Sequence, residues 1–423
     1  MSLSSVTPPS QPRKDYYPWI AVLLLWCICF FNYADRLAIF SVFPVLEKEF
    51  GFTKTQLGMI GAAFTWVYAS ASPIAGVIGD RFSRKGVILG GLAIWSAITG
   101  LTGACNTYWQ FLLVRGSEGL GEAFYFPASM AYIADHHGPR TRSRATSVHQ
   151  TSLYIGTIFG GGLAGWMAMH YGWRAPFVIL GIAGVVLAIV LKFVMREART
   201  ERKPSTRPPL VDYLAFLKHL RTNKTACLII AAFFGANMVN AVFLTWMPTF
   251  LKEKFALNLT MAGLGATLFI QIACFAGALT GGQVADFWAM KTPDGRLRLK
   301  VLATFIGAPF IWICGTTLNP LWLIVSMIVF GFCKGLYDAN LTPAYYDVVP
   351  ERWRSSATGL MNLIGFIGAG LGSVAIGVAV DAGVSMGTAI GTVGIVYIFV
   401  AVTLLLTLGK GAQRDITQAS LEY

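Results

Sequence analysis

Long apolar stretches without a charged residue recur along the sequence and limit what the chain can fold into. Runs such as Thr225–Leu251 and Ser355–Val380 exceed the roughly 20 residues that an α-helix needs to cross a bilayer. Mean hydropathy is +0.60, and 13% of the residues are charged, about half the share in a soluble domain. The runs lack the two-residue alternation of a membrane barrel. The sequence therefore predicts an all-α membrane protein.

Two of the runs are long enough to supply two helices each. Dividing Gly86–Val114 at "NTYWQ" and Val301–Cys333 at "TTLNP" gives twelve predicted transmembrane helices. The fourth and the tenth predicted spans carry charged residues in their interior. Because ionisable groups inside a membrane are costly and usually functional, these two spans are the first places to look for a site.

The formal net charge of +13 is explained by topology rather than by nucleic-acid binding. Most of the 33 lysine and arginine residues fall in the tails and in loops on one side of the predicted bundle. Those in loops on the other side are Lys48, Lys54, Arg174, Lys252 and Lys254. The positive-inside rule then predicts cytoplasmic N- and C-termini. No nucleic-acid partner is expected, and the bilayer is the expected environment.

The chain contains an internal repeat. An offset of 212 residues places Asp135 on Asp347 and Gly156 on Gly368, and further glycines match at the same offset. Two homologous six-helix halves with a site between them at mid-depth are typical of transporters. The predicted segments are a cytoplasmic tail over 1–15, a six-helix bundle over 16–195, a cytoplasmic linker over 196–224, a second bundle over 225–409 and a tail over 410–423. We call 16–195 the first half and 225–409 the second half.

The segment "GVIGDRFSRK" (Gly76–Lys85) lies between the second and third predicted spans. It resembles the G-x-x-x-D-R-x-G-R-K signature of the major facilitator superfamily, with Ser83 in place of a glycine. The resemblance covers essentially the whole chain and implies that this loop is a conformational latch. The latch residues it implies are Gly76, Asp80, Arg81, Arg84 and Lys85. In this part of the chain the repeat offset is 206 residues, because the following loop is six residues longer in the second half, and it aligns Gly76 with Gly282 and Asp80 with Asp286. The arginines are not kept, which predicts a weaker latch there.

Four segments resemble the anion:cation symporter branch of that superfamily. They are "NYADRLAI" (Asn32–Ile39), "AAFTWVYASASPIAGVIGDR" (Ala62–Arg81), "RGSEGLGEAFYFPA" (Arg115–Ala128) and "FLTWMPTFL" (Phe243–Leu251). Spinster-like transporters share the Asp-Arg pair and the Arg-to-Glu spacing but match the other features less well. The resemblance implies transport of an organic anion with protons or sodium, with lysophospholipid transport as the alternative.

Arg115, Glu118 and Glu122 share one face of the fourth span because residues three and four apart on a helix lie on the same side. Lipid would penalise such a stripe, so it should face a cavity or another helix. Asp35 and Arg36 lie two-thirds along the first span, where they could meet it. A structural ion-pair network that locks the two spans together is the alternative interpretation.

The resemblance to the symporters implies a role for each of these residues. Asp35 and Glu122 would bind protons, and Arg36 would bind the substrate anion, for which its planar guanidinium is suited. Arg115 would be the arginine that competes for Glu122 and a further substrate contact. Glu118 belongs to the same charge network.

The repeat offset maps Glu122 onto Lys334 in the tenth span. Asp338 lies one helical turn after Lys334 and is close enough for an ion pair. Lys334 is therefore either a substrate contact or the structural partner of Asp338, and both interpretations stay open at this point.

Polar side chains on other spans are candidates for weaker contacts. Tyr33, Tyr154, Asn237, Asn240 and Asn362 could bond a hydroxylated substrate or could link helices. Nothing in the sequence resembles a nucleotide-binding loop, a metal site or a catalytic nucleophile with its base, so no cofactor, no metal and no enzymatic activity are predicted.

Together these features predict a secondary transporter, with proton-coupled symport of a small organic anion, such as a sugar acid, by alternating access. The alternative is a spinster-like, proton-linked transporter of lysophospholipid. A sensor built on the same fold would not need the proton-binding carboxylates. The protein is expected to act as a monomer in a cell membrane, the bacterial inner membrane.

Overall fold

The computed structural model describes residues 16–81, 83–138, 141–197, 209–350 and 353–421. Every regular element in these ranges is a helix. The helices of the first half are α1 (Tyr17–Phe50), α2 (Lys54–Arg81), α3 (Arg84–Thr102), α4 (Tyr108–Glu122), α5 (Tyr125–His136), α6 (Arg142–Tyr171) and α7 (Ala175–Val194). Next come α8 (Pro209–Leu220), α9 (Lys224–Phe255), α10 (Leu259–Lys291), α11 (Gly295–Thr316), α12 (Pro320–Ala339), α13 (Leu341–Tyr346), α14 (Arg354–Asp381), α15 (Met386–Leu405) and α16 (Lys410–Leu421).

Nine helical segments in the described part of the chain are long and apolar enough to cross a membrane. They are α1, α3, α7, α9, α10, α11, α12 with α13, most of α14, and α15. The other predicted spans correspond to α2, to α4 with α5, and to α6, which are more polar. The all-helical class and the membrane-spanning character are thus confirmed, while twelve spans and the position of the termini stay predictions.

The fourth predicted span is broken between Glu122 and Tyr125, and the tenth is broken between Ala339 and Leu341. A proline follows each break, Pro127 in α5 and Pro343 in α13. Proline has no N–H, and its ring clashes with the carbonyl group four residues earlier, at position 123 or 339. Each proline therefore favours a break at that position, and Glu122 is the last residue of α4.

Helix packing pairs elements within each half and joins the halves along two seams. In the first half α1 packs on α6, α3 on α7 and α2 on α4. In the second half α9 packs on α14, α10 on α12 and α11 on α15. The two seams between the halves are α2 with α14 and α6 with α10.

Glycine allows α6 to approach the part of α1 that carries Asp35 and Arg36. A Cβ atom on Gly160 would lie 2.5 Å from the Cα atom of Ala34, which is closer than any side chain tolerates. The backbones of the two helices are in contact here, as the small-residue spacing predicts. This contact fixes how α1 presents its charged residues to α4.

Hydrogen bonds and an ion pair join the halves at the end that the sequence predicts to be outside. The Nζ atom of Lys54 lies 2.6 Å from carboxylate oxygens of both Glu47 and Glu253. The carboxylate of Asp381, at the end of α14, accepts hydrogen bonds from the backbone N–H groups of Lys54 (3.0 Å) and Thr55 (2.8 Å). The second half therefore supplies the N-terminal cap of α2.

We expect Asp381→Ala to loosen this closed end. Loss of a side-chain cap at a helix N-terminus destabilises by about 1 kcal/mol, and here the loss falls only on the state in which the halves touch. Labelling of a single cysteine introduced at Thr55 should become faster in the variant. An unchanged labelling rate would mean that the cap does not hold this end closed.

Candidate functional site

The charged stripe of α4 is buried inside the first half, where it meets residues of α1, α2 and α3. Arg115, Glu118 and Glu122 are each at most 1% exposed, and Asp35 is completely buried. Burying four ionisable groups is costly unless their charges are compensated. The contacts of each group therefore show which charges are balanced inside the protein.

Arg36 forms an ion pair with Glu122. Its Nη2 and Nε atoms donate to the same carboxylate oxygen, Oε2, at 2.5 and 3.2 Å. The other oxygen, Oε1, is buried and has no hydrogen-bond partner among the described residues. Nη2 also donates to the amide oxygen of Asn32 at 3.4 Å. Only 16% of the Arg36 side chain is exposed, so the pair is nearly sealed from solvent.

Three aromatic rings surround the guanidinium group of Arg36. The rings of Tyr33, Phe64 and Tyr68 lie 4.8, 4.7 and 5.2 Å from its central carbon atom. Such contacts hold a cation by cation–π attraction and leave its hydrogen-bond donors for an anion. Tyr33 is a predicted site residue. Phe64 and Tyr68 are not, although their four-residue spacing in "FTWVY" puts both on one face of α2.

Arg115 takes Glu118 as its partner rather than Glu122, contrary to the expectation that it would compete for Glu122. The two side chains form an ion pair on the buried face of α4. Glu118 also accepts a hydrogen bond from Thr99 at 3.1 Å. The ring of Phe64 lies 5.0 Å from the Arg115 guanidinium and against that of Arg36, so it stands beside both cations. A residue three positions along the same helix is the nearer acceptor for Arg115, which leaves Glu122 to Arg36.

Asp35 has neither carboxylate oxygen in a hydrogen bond with a described residue. Consecutive residues point in directions about 100° apart on a helix, so Asp35 does not point at Glu122 as Arg36 does. The structure therefore places only Arg36 of this pair in contact with Glu122. An unpaired carboxyl group at full burial is unusual in a native protein.

The second half contains a separate polar cavity of about 240 Å³. It is lined by Phe233, Ala236, Asn237, Asn240, Phe330, Lys334, Tyr337, Asp338, Leu341 and Tyr397. Lys334 forms an ion pair with Asp338, and its Nζ atom lies 3.9 Å from the Sγ atom of Cys274. The structure thus brings together Asn237, Asn240 and both members of the predicted charge pair.

Tyr154 and Asn362 do not line this cavity. The Tyr154 ring on α6 packs edge-on against Phe275 of α10, with ring centroids 5.8 Å apart. Asn362 is half-buried on α14. Tyr154 therefore contributes to a seam between the halves, and a substrate contact for either residue stays a prediction.

Comparison with known proteins places these features in a family. Residues 25–373 match the sequence profile of the Major Facilitator Superfamily. The chain belongs to this superfamily. It is similar to the probable galactarate/D-glucarate transporter GudP of Bacillus subtilis, with 26% identity over 96% of this chain and 94% of that protein. A hexuronate transporter of Bacillus subtilis is 26% identical over 87% of this chain and 89% of its own length.

A solved structure supports the same fold. It is a bacterial homologue of the human lysosomal transporter Spinster in an inward-facing, unoccupied conformation. The TM-score is 0.76 at 18% identity, and the match covers 96% of this chain and 98% of that one. The family match and the similar transporters show that the chain is a membrane transporter. The predicted resemblance to the anion:cation symporter branch, with spinster-like proteins second, is confirmed.

The superfamily signature loop is described in part. The surroundings of Gly76 and the side chains of Asp80 and Arg81 lie outside the described part of the structure, and Lys85 is half-buried at the start of α3. Arg84 forms an ion pair with Asp135 and donates to the carbonyl oxygen of Ala131 at 2.5 Å. This contact anchors the loop to α5, while the latch role stays a prediction.

The second half of this superfamily protein repeats that anchor with an arginine that the sequence-based prediction missed. Arg296 forms ion pairs with Asp347 at 2.8 Å and with Asp286 at 2.9 Å. The repeat offset of 212 residues maps Arg84 onto Arg296 and Asp135 onto Asp347. The signal was available: the offset identifies Arg296, although it lies ten residues after Asp286.

Proposed function

We propose that the protein is a proton-coupled symporter of a small organic anion, such as a sugar acid, and that it works by alternating access. The observation that carries the proposal is the buried ion pair between Arg36 and Glu122. A proton can neutralise the Glu122 carboxylate that holds Arg36. Arg36 is therefore an anion site that becomes available when Glu122 is protonated.

Binding of the proton and of the substrate are coupled through this pair. While Glu122 is charged, it occupies the donors of Arg36. When Glu122 accepts a proton, it loses its charge-assisted hydrogen bonds, and the guanidinium group is free to hold a substrate carboxylate through two parallel bonds. Release of substrate and of the proton on the other side of the membrane restores the pair. Transport of one ligand without the other is then disfavoured.

Asp35 is proposed as a second proton-binding group. A carboxyl group without a partner at full burial is stable only when it is neutralised. Its place one residue before Arg36 and against the α4 stripe makes its charge state part of the same electrostatic balance. Arg115 and Glu118, which neutralise each other, are proposed to hold α4 in position.

The sugar-acid class is supported by the relatives and by the second-half cavity. The names of the relatives specify galactarate, D-glucarate and hexuronate, which are polyhydroxylated anions. Asn237 and Asn240 offer amide donors and acceptors for hydroxyl groups, and Lys334 offers a second positive charge. The Spinster likeness at 18% identity concerns the fold alone, so lysophospholipid transport is tested as the competing substrate class.

A binding screen on the purified protein tests the substrate class. Ligands stabilise the state that they bind, so melting temperatures should rise with D-glucarate, galactarate or a hexuronate, and more strongly at mildly acidic than at neutral pH. Stabilisation by zwitterionic lysophospholipid and not by any sugar acid would replace the proposed substrate with the lipid. Melting temperatures that do not rise with any organic anion would contradict the proposed function.

We also propose the predicted topology: twelve transmembrane helices in two six-helix bundles, cytoplasmic termini, and a monomer in the bacterial inner membrane. Labelling of single cysteines in each loop of the intact cell tests the side on which each loop lies. Labelling from outside in the linker between α7 and α9 would contradict the orientation.

The pair formed by Lys334 and Asp338 gives a further prediction. If Lys334 holds a substrate carboxylate, the double variant Lys334→Ala with Asp338→Ala should fold stably, because both charges are removed together, and should bind D-glucarate at least tenfold more weakly. Thermal melting and calorimetric titration measure the two quantities. A stable double variant with unchanged affinity would leave Lys334 with a structural role only.

A further inference from the structure

Lys300 on α11 is a buried cation that the proposed mechanism does not use. Its side chain is completely buried, and its Nζ atom has no hydrogen-bond partner among the described residues. The Nζ atom lies 4.2 Å from the centre of the Tyr337 ring. A buried ammonium group without a carboxylate partner is costly, so this arrangement calls for an explanation.

Lys300 lies directly behind the second-half cavity. Tyr337, on which it packs, lines the cavity together with Lys334 and Asp338. Asp338 is the next residue along α12 after Tyr337 and forms an ion pair with Lys334. One lysine therefore pairs with Asp338, and a second packs on the residue that precedes it.

The equivalent position in the first half is built differently. The repeat offset maps Tyr337 onto Tyr125. The hydroxyl group of Tyr125 bonds to the carbonyl oxygen of Leu25 at 2.8 Å and to Nε2 of His149 at 2.9 Å. The hydroxyl group of Tyr337 is buried with no hydrogen-bond partner among the residues that the structure covers. Within the described part of the chain, the Tyr337 hydroxyl group is thus left unpaired, whereas the equivalent Tyr125 hydroxyl group has two partners.

We propose that Lys300 receives Asp338 when a substrate carboxylate takes Lys334. This inference rests on the proposed transport of an organic anion and adds an exchange of ion pairs to it. Before substrate binds, Lys334 pairs with Asp338, and Lys300 packs on the ring of Tyr337 without an acidic partner among the described residues. After binding, Lys334 pairs with the substrate and Asp338 turns towards Lys300, so no carboxylate is left uncompensated.

A thermal-unfolding cycle without ligand tests the exchange. Lys334→Ala frees Asp338 in the way that substrate would. We expect Lys334→Ala alone to lower the melting temperature only modestly, because Asp338 can then pair with Lys300. We expect Lys300→Met alone to leave the melting temperature unchanged or raise it. The double variant should lose clearly more than the sum of the two single changes, since Asp338 then has no cation, and adding Asp338→Asn should recover that loss. Additive effects would overturn the proposal.

A second arm measures the affinity for D-glucarate. Lys300→Met should weaken binding about tenfold when Asp338 is present and should have no effect in Asp338→Asn. Equal weakening in both backgrounds would mean that Lys300 contacts the substrate itself and would overturn the exchange. Lys291→Met is the matched control, because Lys291 lies 4.2 Å over the ring of Phe287 but is exposed. If the unaltered protein does not bind D-glucarate, the proposed substrate fails, while the ligand-free cycle still decides the exchange.

Discussion

Glu122→Gln is expected to abolish substrate accumulation driven by a pH gradient while substrate binding and counterflow exchange persist. Glutamine keeps the shape of the side chain but cannot gain or lose a proton. It imitates the protonated carboxyl group, so Arg36 should be permanently available to an anion. Reconstituted protein that is assayed for uphill uptake and for exchange at equal pH separates the two activities.

Glu49→Gln is the matched control for this variant. Glu49 also pairs with an arginine, Arg174, at 3.0 Å, but both side chains are more than 40% exposed. Exposed ion pairs contribute little, so this change should leave both activities intact. Full gradient-driven accumulation by Glu122→Gln would remove Glu122 from the coupling mechanism.

Arg36→Lys should weaken binding of every transported anion ten- to a hundredfold, or about 1.4 kcal/mol for each factor of ten. The charge is kept, but the planar fork that binds a carboxylate through two bonds is lost. A lysine ammonium group also lacks the planar face that the guanidinium group presents to the rings of Tyr33, Phe64 and Tyr68, and this loss should add to the effect. Calorimetric titration with D-glucarate measures it, and Arg174→Lys at the exposed pair is the control. Unchanged affinity for all anions would take Arg36 out of the substrate site.

The sequence was sufficient for the class of the fold because the bilayer allows few alternatives. Charge-free runs of helical length, the repeat of 212 residues and the signature at Gly76–Lys85 all indicate one architecture, and the family is confirmed. The breaks before Pro127 and Pro343 could not be predicted from proline alone, since Pro44, Pro248 and Pro309 lie inside unbroken helices.

The partners within the charge network could not be predicted in the same way. The spacing of Arg115, Glu118 and Glu122 shows that they share a face, but not which of two arginines each acid meets. Glu118 is the nearer acceptor for Arg115 within α4, but the meeting of Arg36 with Glu122 depends on how α1 is placed, which includes its backbone contact with α6 at Gly160. Contacts between distant segments, such as the Asp381 cap on α2, leave no local signal at all.

Uptake of D-glucarate into proteoliposomes under an imposed pH gradient, alkaline inside, tests the central claim most directly. The account predicts accumulation above the external concentration, its loss when a protonophore collapses the gradient, and its loss in Glu122→Gln with exchange retained. Uptake that does not depend on the pH gradient, or that is driven only by a sodium gradient, would contradict the account.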